Sequence, residues 1–201
     1  MMKKSNLINY LREKGFDSKI VDAFEKVERG EFVRKDLQDY AYADTALPIG
    51  YGQTISQPST IAFMLSLLEI EDGQKILEVG SGSGYVLALL AEINSNGDVF
   101  GIERIKELAK VSIQRLKARK NVKIFNEDGS EGLDTESPFD RILVSASAEE
   151  IPKSLINQLR VGGILVTPIR SSIVKLKKIQ KGKVEKEEFE GFCFVPLVKN
   201  T

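Results

Sequence analysis

The most constraining feature of this chain is an alternation that begins at Lys75. KILEV is a short apolar run, GSGSG follows, and YVLALLAEI then carries apolar residues at helical spacing. DVFGIE, NVKIF, FDRILVSA and GGILVTPI repeat the strand-like pattern, with RIKELAKVSIQRLKAR and IPKSLINQL as helical segments between them. Short apolar strands alternating with helices predict an α/β fold. Its sheet is mostly parallel, wound right-handed and covered on both faces. The tail departs from this rhythm. SIVKLKKIQ and KVEKEEFE flank a turn at Lys181-Gly182, which predicts an antiparallel hairpin at the sheet edge. The charge run from Lys183 to Glu190 then reads as a solvated edge that discourages strand addition.

Upstream the pattern is helical. Leu7, Ile8 and Leu11 form one apolar stripe. Asp17 and Ser18 can cap a second helix that carries Ile20, Val21, Phe24 and Val27, with Arg29-Gly30 as its expected end. From Ala41 to Gln57 few regular signals appear, although Pro48, Gly50 and Gly52 punctuate the stretch. Irregular segments longer than about 12–15 residues are uncommon in compact domains and tend to be functional. Pro58 suits the first turn of a new helix whose buried face is Ile61, Met64, Leu65 and Leu68. The expected organisation is an N-terminal helical extension with a substrate-side loop over 1–57, and a core over 58–201, forming a single compact unit.

Composition narrows the chemistry. The chain has 201 residues, which suits one domain with a sizeable core. Its 29 basic and 29 acidic residues cancel, so no global field favours nucleic acid or an anionic membrane. With no histidine, Ser-His-Asp and Cys-His catalysis and His-ligated metals are excluded. A single cysteine, Cys193, excludes an internal disulfide, a Cys-x-x-Cys pair and a thiolate zinc site. No metal site is expected. The basic start MMKKSNLINYLREKG has no apolar stretch behind it, and no run approaches the roughly 18 apolar residues of a membrane span. A soluble, cytoplasmic protein is expected.

Gly80, Gly82 and Gly84 lie between a strand and a helix, where glycine permits a sharp bend and close approach of a ligand. The helix start adds free amides and partial positive charge. The spacing is G-x-G-x-G, so the third glycine falls one residue early for a dinucleotide fingerprint, and a P-loop Gly-Lys-Ser/Thr is missing. Glu103 ends the second strand nineteen residues after Gly84, where an acid meets ribose hydroxyls in mononucleotide folds. Asp128-Gly129 follows the third strand. Together these positions predict a nucleoside ligand at the carboxyl ends of the strands.

At this point the sequence becomes recognisable. ILEVGSGSGY resembles motif I of class I S-adenosylmethionine-dependent methyltransferases. ALPIGYGQTISQP, NEDGSEG, SPFDRILVSAS, IPKSLINQLRVGGILVTPI and FVPLV, taken with it, resemble the protein-L-isoaspartate O-methyltransferase family, from about Val27 to Val198. GQTISQP is the family-specific element. The resemblance implies a Rossmann-like class I methyltransferase core and S-adenosyl-L-methionine as cofactor. It implies methyl transfer to the free carboxylate of L-isoaspartyl residues, and in some members of D-aspartyl residues. The ester closes to a succinimide whose hydrolysis restores some normal linkage, so such proteins repair aged proteins. Partners are isoaspartyl-containing proteins and peptides, and a monomer is expected. The chemistry suits the composition. A carboxylate is ionised at pH 7 and is itself the nucleophile, so no general base is needed.

By this resemblance Gly80, Gly82 and Gly84 pass around the methionine part of the cofactor. Glu78 helps hold its amino group or caps the turn. Glu103 accepts from the ribose, and Asp128 with Gly129 meets the adenine. Ser81 and Ser83 contribute hydroxyls or suit a tight turn. Ser56 matches the family's active-site serine, the alternative being that Ser56 and Gln57 only cap the Pro58 helix. Gln53, Thr54 and Ile55 neighbour the substrate, and residues 49–55 form a wall that excludes water. Four positions depart from the commoner pattern. Ser59 stands where a larger residue is frequent and Glu127 where Gly often precedes Asp128. Arg170 stands where Gly is usual, and Ser81 where Thr is common. Ser59 and Arg170 bear on the substrate peptide rather than the cofactor. A methyltransferase acting on another carboxylate or small molecule is the alternative enzyme. A cofactor-binding module without catalysis is the alternative of a different class.

Overall fold

The computed structural model of the chain describes residues 3–194; the Val195–Val198 part of the FVPLV element lies outside the described residues. Two amphipathic helices come first. α1 (Lys4–Glu13) buries Leu7, Ile8 and Leu11. α2 (Ser18–Lys26) buries Ile20, Val21, Ala23 and Phe24, and Asp17 caps it by accepting from the Lys19 amide at 2.8 Å. Arg29-Gly30 does not end this helix. The helix stops at Lys26, and Arg29 opens a 3-10 turn (Arg29–Phe32) with its side chain wholly buried.

The stretch expected to be irregular contains a β-hairpin. β1 (Leu47–Gly50) pairs antiparallel with β2 (Gln53–Ile55). Gly50, Tyr51 and Gly52 all have positive φ (99°, 55° and 70°), so the two glycines make this reversal possible. The strands are too short to show alternation, which is why the pattern was invisible in the sequence. α3 (Pro58–Leu68) follows with Pro58 at its first turn. Gln57 makes no capping bond; Asp44 supplies the cap by accepting from the Ser59 amide and hydroxyl, both at 2.8 Å. The small residue at position 59 is thus tied to Asp44.

The alternating half folds as anticipated. β3 (Lys75–Val79), α4 (Tyr85–Ile93), β4 (Asp98–Ile102), α5 (Lys106–Leu116), β5 (Val122–Phe125), β6 (Phe139–Val144), α6 (Lys153–Gln158) and β7 (Leu159–Ile169) follow in turn. β8 (Ser172–Gln180) and β9 (Lys183–Glu190) form the edge hairpin. The sheet order is β5-β4-β3-β6-β7-β8-β9, with parallel pairing from β5 through β7 and antiparallel pairing beyond. β9 is the outer strand and carries the charge run on largely exposed residues. Arg170 sits exposed between β7 and β8 at φ 53°, a left-handed geometry that glycine adopts more easily.

Successive strand residues point to opposite faces, and two buried clusters result. Ile76, Leu143 and Ile164 pack under the helices with Leu7, Phe24, Leu65 and Leu89. Leu77, Val144 and Leu165 pack on the other face with Phe100, Phe139 and Leu155. The N-terminal helices therefore share their core with the sheet. Among the described residues no helix is long and apolar enough to cross a membrane.

Candidate active site

The strand order reverses direction at β3, whose neighbours β4 and β6 lead away on opposite sides. The crevice outside the carboxyl ends at such a switch point is where wound sheets bind ligands. Here it opens as a cavity of about 300 Å³. Gln53, Thr54, Gly80, Gly82, Glu103, Asp128 and Gly129 all line it, so residues far apart in the chain meet in one crevice.

The glycine turn is held to the sheet by its own backbone. The amides of Gly80 and Ser81 both donate to the Ile102 carbonyl, at 2.9 and 3.0 Å. Gly80 and Gly82 have positive φ (80° and 53°). A Cβ on Gly82 would stand 3.2 Å from Ile49 Cδ1, so the hairpin closes directly over the turn. Gly84 behaves differently. It begins α4, and its open side faces Ser112 and Leu116 of α5 at 3.0 and 3.1 Å, a helix-packing position.

Glu103 is nearly buried, and its carboxylate is already engaged. Oε2 accepts from the Gly82 amide at 2.7 Å and Oε1 from the Ile105 amide at 2.8 Å. One acid thus braces the glycine turn and the start of the next segment, and each oxygen can accept one further hydrogen bond. Asp128 Oδ1 accepts from the Ser130 amide at 3.0 Å. A Cβ on Gly129 would lie 2.7 Å from Val79 Cγ1, so only glycine lets this turn sit against the strand ends.

Glu78 occupies the floor of a smaller hollow that shares Thr54, Gly80, Gly82 and Ser145 with the main cavity. Its Oε1 accepts from the Ser145 hydroxyl at 2.7 Å, while Oε2 is buried without a partner. Burial pushes this carboxyl up to about 8; the Ser145 hydrogen bond opposes the shift and the Glu103 charge adds to it. Ser81 Oγ is also buried and unpartnered. Ile55, Ser56, Ser81 and Ser83 complete this hollow. An orphaned carboxylate oxygen and an orphaned hydroxyl beside a glycine-rich turn suit a ligand tail that brings an ammonium and further polar groups. Ser145 was not among the expected site residues, although its place just after β6, at the carboxyl end of a strand, is a signal that could have found it.

Thr54 and Ser56 also line a third space, an outer groove of about 620 Å³ whose far wall is Gly191–Phe194. Phe192 stacks on Phe63 of α3 with ring centroids 5.5 Å apart. Ser56 therefore stands between the inner hollow and the outer groove. Arg29, which sequence reasoning treated as a helix end, donates from Nη2 to the Ser56 carbonyl at 2.9 Å.

Comparison with known proteins agrees with this geometry. The family model described as protein-L-isoaspartate(D-aspartate) O-methyltransferase matches residues 2–201. A protein-L-isoaspartate O-methyltransferase of Methanococcoides burtonii is 42% identical over 198 residues, covering 96% of this chain and 98% of that protein. One from Flavobacterium psychrophilum is 43% identical, covering 98% and 94%. A solved Plasmodium falciparum structure, described as a protein of this kind in complex with S-adenosyl-L-homocysteine, superposes with a TM-score of 0.86. Its identity is 29%, and the match covers all of both chains. A further solved protein-L-isoaspartate O-methyltransferase gives a TM-score of 0.91 at 25% identity, over 98% of this chain and 67% of that one.

Proposed function

The chain belongs to the protein-L-isoaspartate(D-aspartate) O-methyltransferase family, and we propose on that premise how its site divides the work. Its activity is methyl transfer from S-adenosyl-L-methionine to the free carboxylate of L-isoaspartyl residues in damaged proteins and peptides. When bound, the sulfonium supplies an activated methyl group. The residues of this chain do the rest by holding and excluding. Glu103 takes the ribose hydroxyls, and Asp128 and Gly129 border the adenine. The Gly80–Gly84 turn wraps the amino-acid tail. Glu78 is the partner of its ammonium, a reading supported by the orphaned Oε2. Ser56, with Gln53, Thr54 and Ile55 around it, receives the acceptor carboxylate. That carboxylate forms its new O–C bond as the C–S bond breaks and the electron pair leaves on sulfur. No proton moves, which suits a site without histidine. The hairpin over Gly82 keeps water from the reacting atoms.

The observation that carries the reading is that Thr54 borders both the nucleoside-sized cavity and the open groove, while Ser56 stands between the smaller hollow and that groove. A groove of about 620 Å³ favours a peptide over a small-molecule acceptor. A monomer acting in the cytoplasm completes the proposal. Labelled cofactor and a pair of peptides, one isoaspartyl and one normal aspartyl, test it. Label is expected in the isoaspartyl peptide alone; equal or absent labelling of both would defeat the reading.

Ser56→Ala is expected to lower kcat/KM for the isoaspartyl peptide about 10- to 100-fold, since a hydrogen bond to a charged group contributes about 1.5–3 kcal/mol. Cofactor affinity should stay within about twofold. Steady-state kinetics beside calorimetry would check this, and unchanged turnover would remove Ser56 from the acceptor site.

A further inference from the structure

Arg29 is the largest of the fully buried side chains. Nε donates to the Ala41 carbonyl at 2.9 Å, and Nη2 to the carbonyls of Ser56 at 2.9 Å and Thr45 at 3.4 Å. The guanidinium lies 5.0 Å from the centroid of the Tyr85 ring, and Nη1 is buried without a hydrogen-bond partner. Among the described residues no carboxylate ion-pairs with it. Asp44, whose charge is felt nearby, spends its oxygens on Ser59 and Gln57. Burial pulls the guanidinium down to about 10, which leaves it charged at neutral pH.

A buried cation ordinarily has an anionic partner, because carbonyl dipoles and a ring face compensate it only in part. This one has carbonyls and a ring, and it sits one hydrogen bond behind the residue assigned to the acceptor. We propose that Arg29 determines acceptor specificity: its charge, held one hydrogen bond behind Ser56, acts across the Ser56 peptide on the substrate carboxylate and loses that interaction when the carboxylate becomes an ester. The inference rests on the placement of Ser56 at the acceptor side.

The physics sets a direction. Methyl transfer joins an anion to a sulfonium and leaves a neutral ester and a neutral thioether. A fixed positive charge beside the acceptor therefore favours the substrate over both transition state and product. It tightens binding of the acid, contributes nothing to the methyl step and loosens the ester. Arg29 acts on KM and on product release, and its three-carbonyl fork separately fixes the loop that carries Ser56.

The test uses the full chain saturated with S-adenosylhomocysteine. Binding of an isoaspartyl peptide is compared with binding of its methyl ester. The intact protein should prefer the acid at least tenfold, and equal binding overturns the proposal without any variant. Arg29→Met keeps the volume and removes the charge. It should lose the preference, raising the dissociation constant of the acid at least tenfold while that of the ester moves less than about twofold. Equal weakening of both would make Arg29 a structural brace only and overturn the proposal. Arg29→Lys keeps the charge without the fork. It should retain the acid preference with lower turnover, and it decides the matter if the Met variant does not fold; loss of the preference in it overturns the proposal. Failure of the unaltered protein to methylate any isoaspartyl peptide would instead strike the functional reading itself.

Discussion

Glu78→Gln is expected to give a protein that is more stable alone and much poorer at holding its cofactor. The wild-type carboxyl is buried, lacks a partner for Oε2, and is pushed up to about 8 by its surroundings. An acid with a raised folded-state value lowers stability as pH climbs from its unfolded value, near 4.3, toward its folded one, because the unfolded chain has already released the proton. By pH 7 that cost is about 3.5 kcal/mol, at 1.36 kcal/mol per pH unit above the unfolded value, and glutamine escapes it. A melting temperature about 7–14 °C higher follows for a chain of this length. The benefit lost is the ion pair. Binding needs one proton shared between the carboxyl and the amine of the cofactor, whose own value is about 8. Wild-type affinity should therefore rise roughly 25-fold from pH 6 to 8 and fall about threefold by pH 9. In Glu78→Gln the rise below pH 8 should vanish. Calorimetric titration across that range, with thermal melts of the free protein, reads both effects. A variant that melts lower and binds with the wild-type pH profile would show that Glu78 does not serve the cofactor.

Glu103→Ala should reduce cofactor affinity by more than 100-fold. The side chain ties the amides of Gly82 and Ile105 through opposite oxygens. Its removal leaves both donors without a partner beside the cavity and frees Gly82, while the Gly80 and Ser81 amides keep the start of the turn on the Ile102 carbonyl of β4. Hydrogen bonds to a charged acceptor contribute about 1.5–3 kcal/mol each, so two of them exceed the threshold for that loss before any ribose contact is counted. Glu103→Gln is the informative control. It keeps one acceptor but presents a carboxamide NH2, itself a donor, to the other backbone amide, so about half of the loss should remain. Fluorescence or calorimetric binding measures the affinity, and hydrogen exchange at Gly82 and Ile105 measures the release. Wild-type affinity with faster exchange at both amides would assign Glu103 to bracing alone.

The alternating half of the molecule was readable because strand and helix periods differ and each segment is long enough to show its own. Glu103 and Asp128 could be placed by counting from the glycines, since strand ends in a wound sheet converge on one crevice. The N-terminal half was harder. The strands at Leu47–Gly50 and Gln53–Ile55 are four and three residues long, and their turn is marked by glycines that also suit a loop. Asp44 caps α3 from thirteen residues before Gln57, and no local rule anticipates so distant a partner. Arg29 looked like ordinary punctuation after an amphipathic helix. Only the fold reveals that its fork reaches three carbonyls from a later stretch of chain.

On the proposed reading the two reactants meet along one shared stretch of chain, the hairpin over 47–55. Beyond it, the groups proposed for the donor come from 78–84, 103–105, 128–129 and 145, and those proposed for the acceptor from 56–60 and the 191–194 wall. Thr54 borders every compartment. Changes at the start of α3 and in the outer wall would re-specify the guest while leaving the donor seat intact, whereas changes in the hairpin would be felt by both reactants, so a lineage exploring new acceptors has its freedom on the outer side of the groove.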